Sequence, residues 1–429
     1  MENFERIDSH WINLDSPWKM IRGKYLFENP KILNKDSKEK NLLSLTLNGV
    51  LKKDMDSSGG LRPDSYDSYQ IFYENDLVFK LIDLENVKTS RVGWVHERGL
   101  MSPVYIRLKP KEDKINTRYF YYYFFDLYQR QIFNSIGSGI RSSLTGTNLL
   151  ELLVPNPSHE EQNQIVDFLD RKTNQVDELI KKIEQKIELL KEQKNSLINE
   201  VVTKGLNPKV EMKNSGIEWI GEIPSHWDVM KLKYLSRITP SSVDKHIFDD
   251  EIQVSVCNYT HVYYNNFINT KVSLDVGSCT ENEFSKFKLY KDDVIITKDS
   301  ETPDDIGIPT LVSESLENTV CGYHLTIIRP EGIKGGYLFR FILSERTRRY
   351  FEINSNGVTR FGLGKPSVEN LVIPLPSEEE QEQIITYLDH ETQIIDDLIS
   401  TERKRIDLLK EYKQSLTSDV VTGKKRVVS

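Results

Sequence analysis

Val154-Pro155-Asn156-Pro157-Ser158-His159-Glu160-Glu161-Gln162-Asn163-Gln164-Ile165 returns without a gap as Ile373-Pro374-Leu375-Pro376-Ser377-Glu378-Glu379-Glu380-Gln381-Glu382-Gln383-Ile384. The match continues through Leu169-Asp170 and Leu388-Asp389, then Leu189-Leu190-Lys191-Glu192 and Leu408-Leu409-Lys410-Glu411. It closes at Val201-Val202-Thr203 and Val420-Val421-Thr422. About half the positions are identical over roughly fifty residues, which marks an internal repeat rather than two unrelated helices.

Each copy opens a helix. Ser158 and Ser377 follow a proline and stand three residues before Glu161 and Glu380. That is the capping-box spacing, in which the hydroxyl takes an orphan backbone N–H and the carboxylate reaches back. Apolar residues then recur at alternating steps of four and three: Leu169, Val176, Ile180, Ile183, Ile187, Leu190 and Leu197 in the first copy. The second gives Leu388, Ile395, Ile399, Ile406, Leu409 and Leu416, with Glu402 standing where the first copy has Ile183. A seam sustained over several heptads predicts a coiled coil, and about 45 helical residues would run roughly 65 Å. Lys194 and Lys413 interrupt both seams at the same place, as register-setting polar residues do. The two helices are expected to pair with each other. A twofold-like relation between the tandem copies would make that pairing antiparallel.

Outside the helices the repeat is weaker. Ser16-Pro17-Trp18…Lys24-Tyr25-Leu26 echoes Ser225-His226-Trp227…Lys233-Tyr234-Leu235, and Asn75-Asp76-Leu77-Val78-Phe79-Lys80 echoes Asp292-Asp293-Val294-Ile295-Ile296-Thr297. Ser138-Gly139-Ile140-Arg141-Ser142-Ser143-Leu144 echoes Gly357-Val358-Thr359-Arg360-Phe361-Gly362-Leu363. Between these landmarks the halves diverge. Gln70–Leu81, Val92–Val95 and Val104–Leu108 read as strands in the first half. Ile252–Cys257, Asp293–Thr297 and His324–Arg329 read so in the second. Arg118–Phe133 and Gly336–Phe351 read as helices, and the periodicity of Tyr119-Phe120-Tyr121-Tyr122-Tyr123-Phe124-Phe125 favours a buried face over a base-stacking surface.

The fold class is therefore α+β: two mixed α/β domains joined by two long helices in an antiparallel coiled coil, with a pseudo-twofold internal repeat. The expected division is 1–152, first mixed domain; 153–206, first long helix; 207–371, second mixed domain; 372–429, second long helix.

Composition narrows the function. The 429 residues suit several domains. The charged opening and the lack of an 18-residue apolar run predict neither signal peptide nor membrane span. Three scattered cysteines, Cys257, Cys279 and Cys321, argue against a disulfide framework or a zinc site and point to a reducing cytoplasm. A formal net charge of −8 argues against coating DNA by bulk electrostatics, though not against local contacts. No glycine-rich loop follows a strand to hold a nucleotide or methyl donor. Glu184-Gln185-Lys186 and Glu192-Gln193-Lys194 read as solvated helix charge, and Asp304-Asp305 between Pro303 and Gly307 as a turn. A non-catalytic chain without cofactor or metal is expected.

Together the doubled Pro-x-Pro-x-x-x-Glu-Gln-x-x-Ile helix starts and Ser215-Gly216-Ile217-Glu218-Trp219-Ile220-Gly221-Glu222-Ile223-Pro224-Ser225-His226-Trp227 resemble the specificity subunits of type I restriction–modification systems, over essentially the whole chain. The resemblance implies two target-recognition domains, each reading one half of a bipartite double-stranded DNA site. It implies two antiparallel helices that fix the spacer and dock two methyltransferase subunits, with restriction subunits joining them. The opening motif of the first half, His10-Trp11-Ile12-Asn13-Leu14-Asp15-Ser16-Pro17-Trp18, departs from the fuller second one. A coiled-coil scaffold, or a DNA-binding protein outside restriction–modification, is the alternative; a scaffold accounts for the helices but not for two dissimilar globules in matching frames.

Candidate DNA contacts come from position. Lys80 and Lys298 end or follow the Asp-hydrophobic strand of each half, and Arg91 and Arg98 flank the next strand of the first. Tyr323 and His324 open a strand of the second, and Arg141, Ser142, Arg360 and Lys365 lie in loops before the long helices. Loop arginines suit guanine or phosphate.

Overall fold

The computed structural model describes residues 16–35, 38–53, 65–82, 84, 91–136, 143–244 and 246–427. The chain divides into two compact units, Met1–Ile183 with Arg403–Ser429, and Glu184–Glu402. The long helices run His159–Lys204 and Glu378–Val421. Each unit thus holds the opening turns of one long helix and the closing turns of the other.

The first unit is built on a four-stranded antiparallel sheet in the order Phe27–Glu28, Ile106–Pro110, Leu77–Phe79, Val92–Trp94. Helix Thr117–Gln129 closes it, capped by Asn116 and burying Tyr119, Phe120, Tyr122, Tyr123 and Phe124. Phe27 meets Phe120 edge-on at 5.1 Å and Phe79 meets Phe124 at 5.2 Å. The aromatic run is core, each ring contributing about 1.5–3 kcal/mol by burial.

The second unit has a five-stranded sheet ordered Ser236–Pro240, Leu325–Pro330, Val294–Thr297, Pro309–Val312, Phe267–Ile268, antiparallel except for the last pairing. A three-stranded sheet, Asp275–Cys279, Ile252–Cys257, Thr319–Cys321, lies in the same unit. All three cysteines are free and buried. No described helix is long and apolar enough to cross a membrane.

Three elements break where the sequence read them as continuous; Arg118–Phe133 is one, its helix stopping at Gln129 and a second running Ile132–Ile136, with Gln131 at φ 57° between them. Gln70–Leu81 is two strands, Gln70–Phe72 and Leu77–Phe79, because Asn75 turns the chain at φ 69° and Asp76 accepts the Tyr73 N–H. Gly336–Phe351 is likewise two helices, Gly335–Leu343 and Glu345–Asn354, since the Ser344 hydroxyl leaves helical geometry to cap the second.

The turn at Asn75 recurs at Asp292, φ 72°. In both halves the next aspartate takes a tyrosine N–H and a buried or half-buried arginine: Asp76 with Tyr73 and Arg107, Asp293 with Tyr290 and Arg329. Each guanidinium also lies over its tyrosine ring, at 4.9 and 4.4 Å. Burial pushes the Asp76 carboxyl above its ordinary range, and the Arg107 hydrogen bond pulls it back only in part. Such a pair fixes geometry more than it adds stability.

The helix starts are built identically. Ser158 and Ser377 form the capping boxes with Glu161 and Glu380. The same carboxylates accept the indole N–H of Trp18 at 3.1 Å and of Trp227 at 3.3 Å. The next residue does as much: Gln162 donates to the Pro157 carbonyl and accepts the Asn116 N–H, while Gln381 donates to Pro376 and accepts from Lys334. Asn116 and Lys334 are the N-caps of the domain helices.

Along the long helices Leu169, Val176, Ile183, Ile187, Leu388, Ile395, Ile399, Ile406 and Leu416 are buried. Ile180, Leu190, Leu197 and Leu409 are half-buried. Near the end of the first helix burial moves from Leu197 to Ile198 and Val202, which join Ile220, Ile223 and Trp227. In the first unit Lys413 reaches Asp177 at 2.6 Å. In the second, Lys194 reaches Asp396 and Lys186 reaches the buried Glu402, both at 2.6 Å. From Lys186 to Lys194 the partner number falls, so the two segments run in opposite directions.

Asp76→Ala strands the buried Arg107 charge and is expected to cost about 3–5 kcal/mol, lowering the urea midpoint of the first unit. Adding Arg107→Met should restore most of the loss; a double variant as weak as the single one would contradict this reading of the pair.

Candidate nucleic-acid interface

In the first unit the candidates do not converge. Lys80 is half-buried just after Leu77–Phe79, its N–H donating to the Arg91 carbonyl at 2.9 Å. Arg91 is only 1 % exposed. That corrects its reading as a surface contact: a side chain sealed in the domain interior cannot reach a base edge. Arg98 stays half-exposed, pairs with Glu39 at 2.9 Å and lies 5.3 Å over Tyr73. Arg141 and Ser142 fall outside the described residues.

The second unit brings four candidates together. Lys298, Tyr323, His324 and Arg360 come from three separate segments, locked by backbone bonds. Lys298 N–H donates to the His324 carbonyl and the Lys298 carbonyl accepts from Leu363, at 2.9 and 2.7 Å. Asp299 and Ser300 pair antiparallel with Gly362 and Phe361, and Tyr323 N–H reaches the Val243 carbonyl at 2.6 Å. Gly322 is required here, because a Cβ would stand 2.4 Å from the Asn258 amide oxygen.

On that frame the Lys298 ammonium lies 4.4 Å over the Tyr323 ring, and the Tyr323 and His324 rings meet edge-on at 4.3 Å. His324 Nδ1 lies 2.7 Å from an Asp299 carboxylate oxygen, and Arg360 Nη2 lies 3.2 and 3.4 Å from the two ring nitrogens. His324 holds φ 66°, a left-handed conformation costing about 1–2 kcal/mol for a residue with a Cβ. Tyr323 is 46 % exposed. Strained backbone, an exposed aromatic and two cations thus share one surface. Lys365 stands apart, paired with Glu369 at 3.4 Å.

Sequence reading missed the wall of this site. Tyr259 and Tyr263 lie one helical turn apart on Tyr259–Tyr264 and stack at 5.6 Å. Tyr263 donates to Asp305, which pushes its hydroxyl pKa up to about 12. Burial raises Tyr259, whose hydroxyl bonds Ser300 and senses Asp305, Asp299 and Arg360. The i,i+4 tyrosine spacing was the available signal. Asp304-Asp305 is a turn, as read, within Pro303–Asp305. The carboxylates Asp299 and Asp305 leave little net positive charge, so the surface offers directed donors rather than bulk attraction. Among the described residues no group of three His, Cys, Asp or Glu side chains could hold a metal ion.

Comparison with known proteins agrees with this architecture. The family described as the type I restriction modification DNA specificity domain matches residues 21–189 and again 224–411. A putative type I restriction enzyme MjaX specificity subunit of Methanocaldococcus jannaschii is 28% identical over 338 residues, 75% of this chain and 71% of that protein. The MjaVIII specificity subunit of the same organism is 25% identical over 370 residues, 83% of this chain and 80% of its own length. Two solved structures share the fold at 14% identity. One comes from a study of complex assembly and conformational transition in the type I R-M system, with TM-score 0.71 over 96% of this chain and 100% of that one. The other is the HsdS subunit of Thermoanaerobacter tengcongensis, with TM-score 0.55 over 97% and 99%. Two family domains in tandem, each framed by the start of a long helix, place this chain among the specificity subunits of type I restriction–modification systems.

Proposed function

We propose that this specificity subunit reads a bipartite double-stranded DNA site, one half-site per recognition domain, while its two long helices form an antiparallel coiled coil that sets the spacer and docks two methyltransferase subunits. Restriction subunits complete the assembly, in the cytoplasm; methylation and cleavage belong to the partners. The domains on this reading are 1–152 and 207–371, and the helices 153–206 and 372–429.

Reciprocity carries the reading. Lys194 pairs with Asp396, and Lys413 with Asp177; the repeat places Lys194 opposite Lys413 and Asp177 opposite Asp396. Tyr119 donates to the Val421 carbonyl as Tyr337 does to Val202, again with exchanged partners. Within each unit, then, equivalent residues of the two copies meet with their roles exchanged. A tandem chain folded so presents two similar frames with different contents, which suits two different half-sites.

Replacing residues 213–365 with the matching segment of another family member should change one half-site alone, read from binding of the assembled complex to DNA libraries randomised in each half separately. A swap that rewrites both halves would sink the two-reader model, and a complex with no sequence preference would favour a scaffold. Purified protein given methyl donor and ATP should neither methylate nor cleave, with methylation appearing when modification subunits are added. Four residues inserted after Thr203 add about 6 Å of helix, against about 3.4 Å per base pair, so the spacer should lengthen by one or two base pairs. An unchanged spacer would remove the helix from that role.

A further inference from the structure

We propose that Arg360 is the guanine-reading arm of the second recognition domain, and that Asp299 and His324 are positioning residues that aim it. The proposal rests on the two-reader function above.

Proton bookkeeping sets the arrangement. A carboxylate only accepts, so the hydrogen in the 2.7 Å contact between His324 and Asp299 sits on Nδ1. Arg360 Nη2 lies 3.2 Å from Nδ1 and 3.4 Å from Nε2, near-equal distances that place the guanidinium over the ring face and not on an in-plane lone pair. The guanidinium thus rests against the face of the imidazole, and its five-donor fork remains on an exposed side chain. Asp299 is fixed by its pairing with Gly362, two residues beyond Arg360. His324 is fixed by the Lys298 N–H to its carbonyl and by Gly322 just upstream.

The surroundings favour a base over a phosphate. Phosphate binding draws on uncompensated positive charge, whereas here Asp299 and Asp305 offset Lys298 and Arg360 within one cluster, and the Lys298 ammonium is turned over Tyr323. A held, planar fork gains most from a partner that also fixes two acceptors in a plane. Guanine does so in the major groove, with N7 and O6. Keeping His324 at φ 66° destabilises the fold, and the ring's contacts with Asp299 and Arg360 give that conformation a use.

The test uses the assembled complex with its modification partners and DNA carrying 7-deazaguanine, which lacks the N7 acceptor, at each guanine of the second half-site in turn. One such position should weaken wild-type binding by about ten-fold. In Arg360→Ala the same replacement should matter less than about two-fold. His324→Gly tolerates the left-handed backbone and Asp299→Ala leaves the strand register intact; both should shrink the penalty to about three-fold or less. Preference at the first half-site should be unchanged in all three, and none of them should lower the thermal melt. No guanine sensitive to the replacement, or an even loss across sequences in Arg360→Ala with a salt slope shallower by about one, would overturn the reading arm in favour of a phosphate contact. Full sensitivity retained in His324→Gly and Asp299→Ala would overturn the positioning role. A wild-type complex without preference in either half-site would instead defeat the two-reader function on which this rests.

Discussion

Everything in this chain hangs on how the first turn of each long helix is satisfied. A helix start carries four backbone N–H groups without partners inside the helix, and here the groups that satisfy them also hold the neighbouring domain. Glu161 closes the box with Ser158 and takes the Trp18 indole; Glu380 does so with Ser377 and Trp227. Gln162 and Gln381 then tie the same turn to the N-cap of each domain's own helix. The ring of polar contacts around Ser-x-x-Glu-Gln fixes where the domain leaves the helix, and losing the glutamine leaves a half-buried N–H of the domain helix unpaired. Each copy of the motif therefore had to keep all its letters while the domain beside it changed.

The same logic explains how much of the protein was legible beforehand. The repeat, the capping boxes and the long helices could be read because their chemistry is local and doubled. Lys194 and Lys413 could be read as register marks, but not their partners. Asp177 and Asp396 look like ordinary surface charges until the two helices lie side by side. The breaks at Asn75 and Ser344 fall in polar runs, Glu74-Asn75-Asp76 and 344–349, which hydrophobic periodicity alone does not tell from a solvated face. Arg91 misled for a related reason: beside a strand, arginine reads as exposed, and its burial is decided by tertiary packing. The first half's reduced opening motif looked like a departure, yet Trp18 makes the bond that Trp227 makes. Only the tryptophan and the glutamate are needed for it.

At the candidate interface, sequence position named some of the residues that the fold gathers and missed others. Lys298, Tyr323, His324 and Arg360 came forward from loop positions, and the fold assembles them. Asp299, Tyr259 and Tyr263 did not, because each takes its meaning from a partner far along the chain. A contact residue that is exposed and cationic advertises itself. One that orients such a residue is indistinguishable from any loop side chain.

The aspartate–arginine pairs behind each sheet show why a frame can persist while its contents diverge. Asp76 and Asp293 each receive a tyrosine N–H, an arginine fork and the end of a positive-φ turn, so the strand that follows begins from the same turn in both sheets whatever packs around it. Beyond that strand nothing in the frame dictates which side chains face outward. Net acidity is then no obstacle to reading DNA. Affinity from many phosphate contacts grows with uncompensated charge and falls steeply with salt, whereas discrimination grows with how firmly a few donors are held. A DNA-recognition subunit therefore gains more from a few firmly held donors than from a basic coat.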